Sequence, residues 1–294
     1  MVLIPAVGAP EKSENKEHYL STPLRITNDS GCFDILPTEW DPETTTVDHI
    51  QVCAVGAKES IFGLTRGGQI FKLIDRSRNR LEWNFFDTAG QRFIDICSVK
   101  TTLFAIGTDR LLYCWNKLNK SQKLFIPNDT QRLRQVSAMS KRKVYGLAED
   151  GTVLFAKRGI GPMKSKATWI PVGNQKMKKI STGSKHLLRK VELWAVGLDD
   201  RAHRFDHFND LWIMYDIIVN DLSVTRDNAV YAVRKKDGRL MKWNGGDHFV
   251  LQDLGKNETT EEYHLLNVSA YKERKEVYSV DQNGNLLKMS YDNK

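Results

Sequence analysis

Cysteine is scarce: Cys32, Cys53, Cys97 and Cys114 are the only thiols in 294 residues. Four are too few for a disulfide framework, and no CxxC spacing marks a zinc site. Three fall inside expected strands, where a buried free thiol is the ordinary outcome. Long apolar runs are missing as well, since no stretch reaches the roughly 18 residues that a membrane-spanning helix needs. Met1 to Ala9 is apolar, but the chain turns charged between Pro10 and Lys16 before any cleavage pattern, so no secretion signal is read. A cytoplasmic protein, or one exported by an unconventional route, is expected. In that setting the five Asn-x-Ser/Thr sequons (Asn28, Asn119, Asn128, Asn257 and Asn267) are chance matches.

Catalytic signatures are equally sparse. The seven histidines form no HExxH or other metal spacing, no GxSxG elbow occurs, and no glycine-rich phosphate loop opens a helix. His203 and His207 stand four apart, a helical spacing in a segment that reads as strand and loop. No enzyme, metal or cofactor is expected.

What the sequence does contain is a repeat. The tetrads Ile61 to Leu64, Leu103 to Ile106, Val144 to Leu147, Leu193 to Val196, Val230 to Val233 and Val277 to Val280 each read aliphatic, aromatic, small, aliphatic. Their aromatics (Phe62, Phe104, Tyr145, Trp194, Tyr231 and Tyr278) recur at intervals of 42, 41, 49, 37 and 47 residues, a period that suits one propeller blade. Packing within the repeat accounts for these rings without any ligand. A turn position follows each tetrad, held by Gly68, Arg110, Gly151, Asp200, Gly238 and Gly284. Such a residue type fits a hairpin that demands positive φ. An apolar segment precedes every tetrad, another follows the turn, and five copies add an outer strand led by Trp83, Leu124, Trp169, Trp212 and Phe249. For Trp83, Trp169 and Trp212, filling the gap between blades is the expected role.

The sixth copy ends before an outer strand of its own, while Phe33 to Leu36 is apolar and unassigned. The expected fold is therefore all-β: a six-bladed β-propeller with four antiparallel strands per blade, closed by an N-terminal strand that completes the last blade. Residues 1–23 are read as a disordered tail and 24–294 as the propeller. The blades span about 47–88, 89–128, 129–173, 174–216, 217–254, and 262–294 plus 31–37.

The stretch VYGLAEDGTVLF (Val144 to Phe155), followed by TWIPVG (Thr168 to Gly173), resembles the tectonin family of β-propeller lectins. The resemblance spans about Cys32 to Asp292. It departs from the family pattern at Arg110, where the turn glycine is missing, at His203, where an apolar residue is usual, and in blades two and five, whose outer strands lack tryptophan. It implies shallow, blade-repeated glycan sites that gain strength by multivalency.

Charge adds a second expectation. The chain carries a formal +8. If strands alternate in direction, the loops holding Lys141, Arg142, Lys143, Arg189, Lys190, Lys272, Arg274 and Lys275 share one face, while acids balance or exceed bases on the other. Such a field favours anionic partners; solvated lysine-rich turns are the competing explanation. For sugar contact the candidates are Trp115 with Asn116 and Trp243 with Asn244, which pair an aromatic face with a planar amide, and then Trp40. Core packing remains open for each tryptophan. The leading expectation is a lectin of innate defence that binds surface glycans, including anionic glycans or lipopolysaccharide. The alternative is an intracellular scaffold whose basic face docks a protein or an anionic membrane. Nucleic acid is not expected as a partner.

Overall fold

A computed structural model of the chain describes residues 25–28, 31–35, 51–54, 61–77, 80–99, 102–116, 123–125, 131–157, 168–185, 190–225, 229–252, 264–271, 276–282 and 286–290. All regular structure among them is β, so no helix there is long and apolar enough to cross a membrane. In chain order come β1 (Arg25–Asn28), β2 (Gly31–Ile35) and the antiparallel meander β3 (Gln51–Ala54), β4 (Ile61–Leu64), β5 (Ile70–Ser77), β6 (Arg80–Phe85). A second meander follows: β7 (Phe93–Val99), β8 (Thr102–Gly107), β9 (Leu112–Asn116), β10 (Lys123–Phe125). The next ten strands form one continuous sheet: β11 (Leu133–Ser140), β12 (Lys143–Ala148), β13 (Thr152–Ala156), β14 (Trp169–Lys185), β15 (Lys190–Gly197), β16 (Arg201–Asp206), β17 (Leu211–Val224), β18 (Val230–Arg234), β19 (Leu240–Trp243) and β20 (Phe249–Leu251). Finally β21 (Leu265–Tyr271), β22 (Glu276–Asp281) and β23 (Leu286–Ser290) pair in order, and β2 adds beside β23 with Phe33 opposite Met289.

The tetrads lie on β4, β8, β12, β15, β18 and β22. These strands are second in their meanders, and each sheet face packs against a neighbouring meander. A strand buried on both faces needs apolar residues throughout, so the pattern is a continuous run rather than an alternation. All six aromatics are buried. Phe62, for example, joins Phe86, Phe93 and Leu103 in the wedge between the first two meanders. Trp194 meets Val219, Leu222 and Val230 in a later wedge. The first strands of the meanders pack in cyclic order: β3 touches β7, then come β11, β14, β17 and β21, and β21 touches β3.

Two backbone devices tie one meander to the next. At the turn between second and third strands, Gly68, Arg110, Gly151, Asp200 and Gly238 have φ of 79°, 68°, 86°, 64° and 65°. This left-handed conformation turns each carbonyl toward the next meander. There it accepts the N–H of Phe93, Leu133, Met177, Val219 or Leu265 at 2.8 to 2.9 Å. At Gly68 an added Cβ would stand 2.8 Å from the Phe93 carbonyl oxygen.

The second device satisfies the inner edge. Among the described residues no strand lies beside the first strand of each meander on the central side, and unpaired backbone there is costly. Side chains of the preceding meander accept its N–H groups instead: Val136 N–H donates to Asp95 Oδ2 (2.8 Å), Ile180 N–H to Gln135 Oε1 (2.7 Å), Thr182 N–H to Ser137 Oγ (3.0 Å), Val224 N–H to Ser181 Oγ (3.1 Å) and Val268 N–H to Asp221 Oδ2 (3.2 Å). Cys97 takes part too, accepting from Ala138 N–H at 3.3 Å.

The structure differs from the sequence reading at three places. The outer strand led by Trp169 and the apolar segment before the Leu193 tetrad are separate elements in the sequence reading; the structure runs them together as β14, and β17 is continuous in the same way. The linking residues are few, so the chain passes directly from the rim of one meander into the inner strand of the next, bending at Gly173 with φ of 63°. β1 was not expected at all; it pairs with β2 outside β23.

Candidate docking cleft

The tryptophan proposed first for sugar contact is inside the protein. Trp115 is 3% exposed, with Phe86 and Phe93 edge-on to its ring at 5.6 and 5.4 Å. That is a correction to its reading as a ligand platform, because a buried ring offers a sugar no face. Its neighbour Asn116 ends β9, opposite Lys123. Trp243 is half-buried and already engaged: Trp194 lies edge-on at 5.0 Å, the Arg204 guanidinium stands 5.4 Å over its ring, and its Nε1 donates to the Gly246 carbonyl at 2.6 Å. Asn244 is exposed, and its Oδ1 accepts the Gly246 N–H at 3.0 Å. Trp115 and Trp243 therefore sit in different wedges, doing packing work. Of the outer-strand tryptophans, Trp212 is buried between meanders and Trp169 packs partly buried against the Leu133 to Leu154 cluster, the gap-filling role expected of them.

Trp40, Arg189, Lys272, Arg274 and Lys275 lie outside the described residues. Lys190 opens β15 opposite Lys185. Lys141 and Arg142 form the exposed two-residue turn between β11 and β12, and Lys143 follows at the start of β12. Among the described residues no carboxylate pairs with Lys141 or Arg142.

At the opposite end of the strands several carboxylates hold a base. Lys176 pairs with Asp150, Lys178 and Lys235 both hold Asp200, Arg110 reaches Glu149 at 3.4 Å, and Arg234 clasps Asp237. The hydrogen bonds from Lys178 and then Lys235 hold the Asp200 carboxyl below its ordinary 3.8. Lys176, with Thr152, does the same for Asp150, and Arg234 for Asp237.

A cleft of about 700 Å³ opens beside the Lys141 turn, between the β11–β14 and β14–β17 meanders. Tyr145 and Phe155 line one side, with ring centroids 5.0 Å apart; Phe205, Phe208 and Ile213 line the other. Burial pushes the Tyr145 hydroxyl up to about 12, so it stays a neutral phenol. Deeper in, Glu192 and Arg204 form a two-pronged pair, with Nε to Oε2 at 3.0 Å and the second guanidinium nitrogen to Oε1 at 3.2 Å. The two charges compensate each other, so this pair stiffens the wall and leaves no net charge there.

Phe208 is the unusual member. It is 93% exposed, in the turn His207 to Asp210 between β16 and β17. Asp206 fixes that turn: its Oδ1 accepts the Phe208 N–H at 2.9 Å and its Oδ2 accepts from Asn209 Nδ2 at 2.7 Å. Those bonds keep the Asp206 carboxyl below its ordinary value. Exposed apolar side chains continue along the strand that follows, at Leu211, Ile213 and Met214. Ile213 also borders a second cleft of about 910 Å³, lined by Tyr215, Ile217, Met241 and Phe249, so β17 divides the two hollows. Sequence reading missed Phe208 because a single exposed phenylalanine carries no periodic signal; the one cue was an aromatic among the polar turn residues Asp206 to Asp210.

His203 is buried on β16, 3.3 Å from Asp199 Oδ1, while His207 lies in the turn. Among the described residues no three His, Cys, Asp or Glu side chains gather where a metal could sit. Cys97 and Cys114 are buried free thiols, and burial pushes Cys114 up to about 12.

No protein-family model and no curated protein matches this chain. Solved structures do. YCF48 bound to D1 peptide aligns with a TM-score of 0.56 at 11% identity, over 92% of this chain and all of that one. A chain of the Mitotic Checkpoint Complex aligns at 0.54 and 12%, over 100% and 99% of the two chains. Human WBSCR16 aligns at 0.53 and 10%, over 85% and 78%. At such identities the likeness shows the fold alone, a β-propeller-type architecture, and none of these structures points to the tectonin repeat.

Proposed function

We propose that this chain is a six-bladed propeller closed by β2, acting as a non-catalytic scaffold that docks a protein partner on the face carrying the Lys141 turn and the Phe208 turn. The cyclic packing of inner strands and the addition of β2 to β23 support the closed ring. The observation that carries the docking reading is Phe208, almost wholly exposed yet held in place by Asp206. A large ring kept in water by a rigid turn gains nothing for the fold; it suits an anchor that a partner covers. YCF48, similar in fold, is seen with a peptide. The lectin reading draws no support from Trp115 or Trp243, whose rings are engaged in packing.

The test compares the immobilised native chain with a Phe208→Asp variant in cell extract, alongside a glycan array. Proteins retained by the native chain are expected to fall about tenfold on the variant, in the range of an interface anchor, with no sugar-dependent signal on the array. Sugar-dependent binding together with protein retention indifferent to Phe208 would overturn the proposal.

A further inference from the structure

We infer that the cleft between the β11–β14 and β14–β17 meanders takes a short acidic peptide segment that inserts one aromatic or large aliphatic side chain. This rests on the docking reading above and names the chemistry of the partner.

Three observations converge on that class. The first is size: about 700 Å³ accommodates a chain segment with one or two side chains, as ligand clefts do, and is too small for a folded surface. The second is the lining. Tyr145 and Phe155 face Phe205, Phe208 and Ile213, which offers an apolar slot for a ring or a branched chain, with the exposed Phe208 ring at its rim.

The third is charge. Two carboxylates border the cleft, and both are engaged: Glu192 by Arg204, and Asp206 by its own turn. Lys143 lines the cleft, and the turn just before it carries Lys141 and Arg142, both exposed with no carboxylate partner among the described residues. The turns at the other end of the strands differ in that Asp150, Asp200 and Asp237 each hold a base. The turn beside the apolar slot thus carries two exposed cations that no described carboxylate matches. A segment with an apolar anchor between carboxylates complements both features at once, whereas a basic segment would meet repulsion at the mouth.

The probe is a short fluorescein-labelled peptide with a Leu-Phe pair flanked on both sides by Glu and Asp, titrated with the full chain and read by fluorescence anisotropy. Two control peptides replace the Leu-Phe pair by Ser-Ser or every acid by Gln. Phosphatidylserine vesicles form a separate arm. The acidic, anchored probe is expected to bind about tenfold tighter than either control. Lys141→Glu with Arg142→Glu is expected to weaken it about tenfold and to flatten its salt dependence. Phe208→Ser is expected to weaken it severalfold, while Lys236→Glu, an exposed site at the other end of the strands, leaves it unchanged. All three sites are solvent-facing or rim positions, so thermal melts of the variants are expected to overlay the native curve.

The inference is overturned if the Gln peptide binds as tightly as the acidic one. It also falls if the double charge reversal has no effect, or if vesicles capture the chain while the probe does not bind. Phe208-dependent retention of proteins from extract that persists while every peptide fails would leave docking standing and remove the acidic-peptide class. Loss of both would remove both.

Discussion

Arg110 and Asp200 occupy left-handed backbone where the equivalent turns of other repeats use glycine. A side chain there costs on the order of 1 to 2 kcal/mol, and the fold tolerates it because the carbonyl must still reach the next meander. Arg110→Gly is therefore expected to raise stability by up to about 1 kcal/mol, once the lost Glu149 contact and the greater freedom of the unfolded glycine chain are set against the relieved strain. Gly68→Ala runs the other way. Its φ of 79° and the nearby Phe93 carbonyl make a cost of about 2 to 3 kcal/mol. Urea unfolding of both variants measures the opposed signs; equal destabilisation by the two would contradict the turn geometry.

Among the elements, the inner strands show both what sequence conveys and what it hides. The tetrads and turn residues were legible because burial on two faces and positive φ each restrict residue type strongly. The polar side chains that satisfy the inner edge were not recognised. Yet their trace is in the sequence: Asp95 and Cys97, and Gln135 and Ser137, stand two residues apart at the same place in successive repeats, and Ser181 and Asp221 fall at matching positions in the next two. A period-2 polar pair inside an apolar strand reads as alternation until the partner strand is known. The misplacement of Trp115 has a related cause. Both faces of a propeller sheet are buried, so alternation along β9 separates one wedge from another and says nothing of inside against outside. Phe208 escaped for the opposite reason, since its role depends on neighbours brought together by folding. For the inner edge the expectation is specific: Ser137→Ala leaves the Thr182 N–H without its acceptor and costs about 1 to 2 kcal/mol. Amide exchange at Thr182 is expected to quicken more than at the central residues of β12; uniform behaviour would mean the side chain is not the acceptor that matters.

For the molecule as a whole, stability at low pH follows from carboxylates that hold a base in the turns between second and third strands. Asp150, Asp200 and Asp237 all titrate below their ordinary 3.8 in the folded protein, held there by Lys176, by Lys178 with Lys235, and by Arg234. A carboxyl with a depressed folded value contributes fully above its unfolded value and loses that contribution as pH falls through the folded one. The melting temperature is thus expected to decline below about pH 4. Asp200→Asn retains a residue type that accepts positive φ and removes two ion pairs, so its decline is expected to be shallower in thermal melts across that range. A variant with an unaltered acid slope would show these surface pairs to be idle. The pairing of Phe33 with Met289 carries a consequence of another kind, one of timing. Residues from the two ends of the described chain can meet only after every intervening meander has collapsed into place, because closing so long a loop earlier costs entropy with no contacts to offset it. The strand pair β1 and β2 is therefore expected to join β23 last in folding and to leave it first, so the order of assembly is set by how far apart along the chain the paired strands lie.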